Sequence, residues 1–429
     1  MNYSLKVQKA LKKIKIGDKI RIIKNNKEYI GILMPRSELG DLDSIVLKLS
    51  NGYNIGIKYE KGVKIEKIGK IKKIKKQKIE IKKNSNLPTI SIISTGGTIV
   101  SKVDYETGGV KALESVDELL SNIPELQSIA NFRFVQPVNK MSEDMEYTDW
   151  QKIAKAVAKE LNLGNAVIVT HGTDTMHYTA TALSFMLKNL SKPVVLVGSQ
   201  RSSDRGSSDA FMNLICATYA ALSDIGEVVI CMHGTINDDY CVLNRGTRVL
   251  KMHKTRRDTF FGDYPLAKVY PNGRIEILNN YNIKKQGKVI VDTKYEPKVA
   301  LVIAYPNSDP DILNYYLKKG YKGIIIEGTG MGHVPTNVKN YWIKTIKTIS
   351  KKIPIVIVSQ AFYGRINTNV YSNLRILFNE TNAIPGEDML PHVALLKLGF
   401  ILGHTKKLDE IKKEMLKEIV KEISERSEI

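Results

Sequence analysis

Four short apolar runs constrain the fold more than any other feature of the chain. They are TISIIST (89–95), NAVIVTHG (165–172), KPVVLVGS (192–199) and EVVICMHG (227–234), and each closes on Gly, Ser or Thr. Between them lie stretches with helical spacing, such as TDWQKIAKAVAKELN (148–162) and ATALSFMLKNL (180–190). A strand that is apolar on both sides must be covered on both faces, and strand–loop–helix alternation covers it that way. The pattern therefore predicts a doubly wound α/β body over residues 87–290. It restarts in VALVIAY, KGIIIEGTG and IPIVIVSQ, which predicts a second, smaller α/β unit over 291–429. The tail LDEIKKEMLKEIVKEISERSEI (408–429) has amphipathic spacing and reads as one long C-terminal helix.

The first 86 residues follow a different rhythm. A short basic helix over 4–13 precedes IGDKIRII, which alternates with period two; Asn25-Asn26 offers a turn before EYIGIL. Asn51-Gly52 separates SIVLKL from YNIGIKY, a strong hairpin signal. Four or five strands in so short a span predict a small, all-β, barrel-like domain. KIKKIKKQKIEIKK (70–83) reads as a charged strand or connector, and Asn84-Ser85-Asn86-Leu87-Pro88 as a linker. Charge divides along the same line. Of a net +21, residues 1–86 carry +15, from 23 Lys/Arg against 8 Asp/Glu. A basic module of this kind is expected to meet nucleic-acid phosphates or to dock on a partner. With four tyrosines (Tyr3, Tyr29, Tyr53, Tyr59) as its only aromatic residues, base stacking is a minor contribution.

Composition excludes several classes. With 43% apolar residues the chain can bury a core, so it is not disordered. No run of about 18 apolar residues offers a membrane span, and the N-terminus has no apolar h-region of a signal peptide. Cys216, Cys231 and Cys241 form no C-x-x-C, which suits reduced, buried thiols in a cytoplasmic protein. There is no Walker motif and no H-E-x-x-H, so no cofactor or metal is expected in this chain. EGTGMGH (327–333) reads as a structural turn rather than a dinucleotide site, and SQRSSDRGSSDA (199–210) as a capping and packing loop.

In open α/β sheets ligands bind beyond the carboxyl ends of the strands. That draws attention to Thr95-Gly96-Gly97-Thr98-Ile99 and His171-Gly172-Thr173-Asp174-Thr175. Glycine lets backbone approach a small ligand, and threonine supplies hydroxyls. TGGTI and HGTDT, with their separation, resemble the two signatures of the bacterial-type L-asparaginase family; VNKMSEDM (138–145) and the Lys251 segment extend the likeness over about 88–405. The resemblance implies that fold, and two hydroxyl-centred triads facing one substrate. By matched position Thr98 is the nucleophile with Tyr105 as its helper, and Thr173, Asp174 and Lys251 form the second set. Ser142 and Glu143 would hold the substrate's α-carboxylate end, and Asp174 its ammonium. Thr95 is the fallback nucleophile, with a structural role the better reading. A Thr hydroxyl needs an adjacent base, and a lysine must shed its proton to serve as one.

The basic module added to this body, including IGILMPRSELGDLDSIVLKLSNGYNIGIKYE (30–60), is similar to the D-subunit family of archaeal glutamyl-tRNA(Gln) amidotransferases. That resemblance covers essentially the whole chain. It implies release of ammonia from glutamine or asparagine, for an E subunit that uses ATP and Mg on Glu-tRNA(Gln). It also implies a homodimer within a heterotetramer. Two other readings compete: a stand-alone L-asparaginase with an appended basic domain, and an RNA-binding scaffold with an inactive amidase body.

Overall fold

The computed structural model describes residues 3–35, 41–50, 53–70, 84–96, 101–103, 110–112, 123–201, 207–338 and 342–426. The N-terminal unit is a helix, Leu5–Leu11, packed on a five-stranded antiparallel sheet. Alternation sorts its faces. In Asp18–Lys24, Ile20 and Ile22 point to the core formed with Val7, Leu11, Leu33, Ile45 and Leu47, while the residues between them face outward. Asn25 and Asn26 both have positive φ (51° and 59°), as the hairpin turn between the first two strands requires. The third and fourth strands pair antiparallel from Ser44↔Lys58 to Lys48↔Asn54. The tip of that hairpin, Asn51-Gly52, lies outside the described residues, as does the basic run 71–83.

The large sheet has eight strands. In spatial order they are Ile275–Ile277, Pro265–Val269, Cys241–Arg245, Val228–His233, Val194–Val197, Ala166–Thr170, Thr89–Ser94 and Asn131–Val135. The last five run parallel, and the first three are added antiparallel. All five residues of Ala166–Thr170 are buried, as expected for a strand covered on both faces. Helix Ala210–Ala221 packs on one face. Helices Tyr147–Asn162 and Met176–Met186 pack on the other. Cys216, Cys231 and Cys241 are buried free thiols. Against the expectation that the 199–210 loop caps the Ala210–Ala221 helix, the Asp209 side chain makes no capping bond to the helix backbone. Buried Asp209 instead accepts from the backbone N–H groups of Gln200 and Arg201 and from the Asn213 side-chain amide.

From Thr89–Ser94 the chain adds Asn131–Val135 on one side, then Ala166–Thr170 on the other. The strand order reverses between the first and the third of these, and in open α/β sheets the ligand-binding crevice lies at such a point. Ser94 pairs with Thr170, so the two glycine-rich turns emerge side by side at the carboxyl ends.

The small unit has four parallel strands in chain order: Val299–Ile303, Gly323–Gly328, Ile355–Ser359 and Ile384–Pro385. Its end corrects the expectation of one long C-terminal helix. The helix Leu408–Leu416 stops after nine residues, and 417–426 is irregular. Buried Lys397 ends it by donating to the carbonyls of Met415 (2.9 Å) and Lys417 (2.6 Å). A cation at a helix C-terminus satisfies carbonyls that have no partner within the helix.

Candidate active site

The Ala166–Thr170 strand delivers His171 to Thr175 into the crevice, and helix Met176–Met186 follows at once. Lys251 comes from elsewhere, at the end of the short strand Val249–Lys251, which pairs with Phe260–Gly262. Its Nζ lies 2.9 Å from Thr173 Oγ1 and 2.5 Å from Asp174 Oδ1. The Lys251 side chain is mostly covered, at 11% exposed, whereas that of Asp174 is 67% exposed and open to an incoming ligand. A hydroxyl, an amine and a carboxylate thus converge at the switch point.

The turn itself is held from behind. His171 is fully buried, and its Nε2 sits 2.8 Å from Thr179 Oγ1. The Trp150 indole N–H donates to that same hydroxyl (3.1 Å). A carbonyl only accepts, so His171 Nδ1 carries the proton and donates to the Gly172 carbonyl at 2.7 Å. The unprotonated Nε2 of the neutral ring then accepts from the Thr179 hydroxyl, which itself accepts from the indole. Burial lowers the His171 pKa to about 4, so the ring is neutral near pH 7. The carbonyl just before Thr173 is fixed by a three-residue chain that begins on another helix. The motif HGTDT shows the His, but no spacing rule points to Trp150 or Thr179.

Ser142 is buried on the one-turn helix Ser142–Asp144, and Glu143 beside it is exposed. The Ser142 carbonyl accepts from Thr175 Oγ1 at 2.5 Å. A Cβ on Gly172 would stand 2.7 Å from Ser142 Cβ, so only glycine allows this approach. Lys140 secures the same segment by pairing with buried Asp149 at 2.7 Å. Burial opposes ionisation of Asp149, yet Lys140 and the Glu146 N–H hold its carboxyl below the usual range.

Thr95 is fully buried, and both its N–H and its hydroxyl donate to the Thr170 carbonyl (3.1 and 2.9 Å). It joins the two turns, which is the structural role expected of it. Gly96 has φ +105°, and a Cβ there would lie 2.3 Å from the Lys140 carbonyl oxygen. Thr98 and Tyr105 lie outside the described residues. The structure therefore brings Thr173, Asp174 and Lys251 together and sets Ser142 against the same turn, while Glu143 is exposed and makes no hydrogen bond or ion pair with these residues. No cluster of three or more metal-ligating side chains occurs among the described residues.

Comparison with known proteins identifies the family. The family model described as "Asparaginase, N-terminal" matches residues 89–282, and "Glutaminase/Asparaginase C-terminal domain" matches 298–415. "GatD N-terminal domain" matches 14–68. A Pyrococcus furiosus protein, named as the D subunit of glutamyl-tRNA(Gln) amidotransferase, is 49% identical, with 98% of each chain covered. The chain belongs to the family of glutamyl-tRNA(Gln) amidotransferase D subunits. Another member, from Thermococcus kodakarensis, is 47% identical over 95% of this chain and 94% of its own. Among solved structures, the thermostable L-asparaginase of Thermococcus kodakarensis superposes with a TM-score of 0.72 at 29% identity. It is covered completely, by 79% of this chain. L-asparaginase I of Vibrio cholerae gives a TM-score of 0.68 at 28% identity, over 79% of this chain and 99% of its own. In both sequence and structure, the family is an asparaginase-type body with an added N-terminal unit.

Proposed function

We infer that the chain is the glutaminase/asparaginase subunit of a tRNA-dependent amidotransferase. It hydrolyses a side-chain carboxamide and supplies the ammonia for converting Glu-tRNA(Gln) to Gln-tRNA(Gln). The observation that carries this reading is the Thr173–Asp174–Lys251 contact at the switch-point crevice. In the proposed reaction the Thr98 hydroxyl, assisted by Tyr105, attacks the carboxamide carbon. Backbone N–H groups of the two glycine-rich turns receive the oxyanion. The C–N bond then breaks, ammonia leaves with the added proton, and an acyl-Thr ester remains. Thr173 and Lys251 take a proton from the water that attacks this ester, the Thr98 oxygen regains one as it leaves, and glutamate or aspartate is released. Ser142 and Glu143 hold the amino acid's α end, and Asp174 faces its ammonium.

The chain is proposed to work with an E subunit that binds ATP, Mg and the tRNA acceptor, and to pair with a second copy of itself in a heterotetramer. The three units divide as 1–86, 87–290 and 291–429. The basic first unit faces tRNA or the partner, and the complex acts in the cytoplasm, where tRNA is charged. Among the described residues no helix is long and apolar enough to cross a membrane. The test is glutamine hydrolysis by the purified chain, alone and with its ATP-using partner and Glu-tRNA(Gln). Hydrolysis that rises with partner and tRNA supports the amidotransferase reading. Fast, partner-independent asparagine hydrolysis contradicts it.

A further inference from the structure

The irregular segment after helix Leu408–Leu416 is held by more polar anchors than its length would suggest. Lys397 and Glu422, both wholly buried, pair at 2.6 Å. With its bonds to the Met415 and Lys417 carbonyls, the Lys397 ammonium has three acceptors, its full complement. The Glu422 carboxylate also accepts from the backbone N–H groups of Ile419 and Val420 (3.0 and 2.7 Å). A buried pair of this kind is tolerable only when the remaining donors and acceptors are satisfied, as they are here. Cavities of about 380 Å³ and 730 Å³ are lined in part by this segment, and Ile419, Val420 and Ile423 pack on the core of the small unit, so polar anchors and apolar contacts on one side fix its path.

On its other side the segment grips the large-sheet unit just before Lys251. Thr247 Oγ1 donates to the Val420 carbonyl (3.1 Å), and Arg248 Nε donates to the Lys421 carbonyl (3.2 Å). The same guanidinium pairs with Asp263 (3.1 Å), directly after the strand that partners Lys251, and with Asp388 (2.9 Å) of the small unit. Asp388 in turn accepts from Ser424. Residues 247 and 248 form the turn into Val249–Lys251, so their placement sets where the lysine's strand begins.

We propose that residues 417–424 are a positioning strap for Lys251, anchored on the small unit by Lys397–Glu422 and acting through Thr247 and Arg248. This rests on the reading of the site given above. The strap does not touch the substrate. It ties the placement of the lysine beside Thr173 to the docking of the two units, and its loss slows chemistry rather than binding.

The test is steady-state glutamine hydrolysis by the full chain with its partner subunit, comparing Thr247→Val, Thr247→Ser and Glu422→Gln with the unaltered chain. Thr247→Val is expected to lower kcat three- to tenfold with KM within twofold and a retained melting transition, and Thr247→Ser to restore kcat. Glu422→Gln is expected to lower kcat at least tenfold. If Glu422→Gln fails to fold, the Thr247 pair decides alone. A folded Thr247→Val chain with unchanged kcat, or with a loss confined to KM, overturns the proposal. Lys251→Ala serves as the control: if it hydrolyses glutamine normally, the reading of the site fails, whatever the strap variants do.

Discussion

The parallel part of the large sheet and the small parallel sheet both end in turns that contain glycine, yet among the described residues a hydroxyl, an amine and a carboxylate converge at only one of them. In the small sheet, strand order follows chain order, so it has no point of reversal. Its turn EGTGMGH closes on itself: Thr329 and His333 exchange backbone hydrogen bonds (2.9 and 2.8 Å), and Ser359 donates to the Gly330 carbonyl. In the large sheet the order reverses between Thr89–Ser94 and Ala166–Thr170. There the turn 171–175 leaves Thr173 and Asp174 free to meet Lys251, 77 residues further along the chain from Asp174. A glycine-rich strand end becomes a site when topology opens a gap and a distant charged group enters it.

Lys251→Ala sharpens the contrast most. It is expected to cut glutamine or asparagine hydrolysis about a thousandfold with little change in thermal melting, while Thr329→Val in the small sheet leaves the rate within twofold. Next comes Gly96→Ala. The added Cβ meets the Lys140 carbonyl at a positive φ, so stability should drop by roughly 3 kcal/mol in a denaturant titration.

The pH dependence follows from the buried histidines. Burial lowers both His171 and His177 to about 4. The unfolded chain binds their protons near pH 6.5, so the stability due to the neutral rings is complete above that pH. It is lost as the pH falls toward 4, by roughly 1.4 kcal/mol per unit for each ring. Melting temperature measured from pH 7 to 4.5 should therefore fall, and His177→Leu should flatten that slope. A profile unchanged by His177→Leu would contradict the assignment.

The smallest effect is that of Thr179→Val, which breaks the link from Trp150 to His171 and leaves Nε2 without its donor. A cost of about 1–2 kcal/mol and a several-fold loss of kcat are expected from melting and rate measurements.

Strand ends were legible in the sequence because fully buried parallel strands leave uninterrupted apolar runs, and the residues that close them are the ones a crevice uses. Thr173, Asp174 and Lys251 were assigned by position within a resembled family, and the structure brings them together. Thr98 and Tyr105 carry the same assignment, and their place in the reaction is a proposal. Trp150 and Thr179 were not legible, since their link to His171 depends on how two helices pack against one strand. The tail shows the opposite failure. Its amphipathic period supports a helix to the end of the chain, but Lys397 and Glu422 offer the backbone of 415–420 better partners than the next helical turn does. Local periodicity loses when buried charges, Lys397 from helix Pro391–Leu402 and Glu422 from the tail itself, bind those carbonyls and N–H groups. The Asn25-Asn26 hairpin was legible for the converse reason, because a two-residue turn is fixed by its own φ preferences.

One measurement bears most directly on the central claim that the Thr173–Asp174–Lys251 site makes the ammonia used elsewhere. Formation of Gln-tRNA(Gln) is assayed with the ATP-using partner and either the unaltered chain or Lys251→Ala, supplied with glutamine or with ammonium chloride. The variant complex is expected to fail with glutamine and to match the unaltered complex with ammonium. Product formation from glutamine at the unaltered rate by the Lys251→Ala complex would contradict the claim.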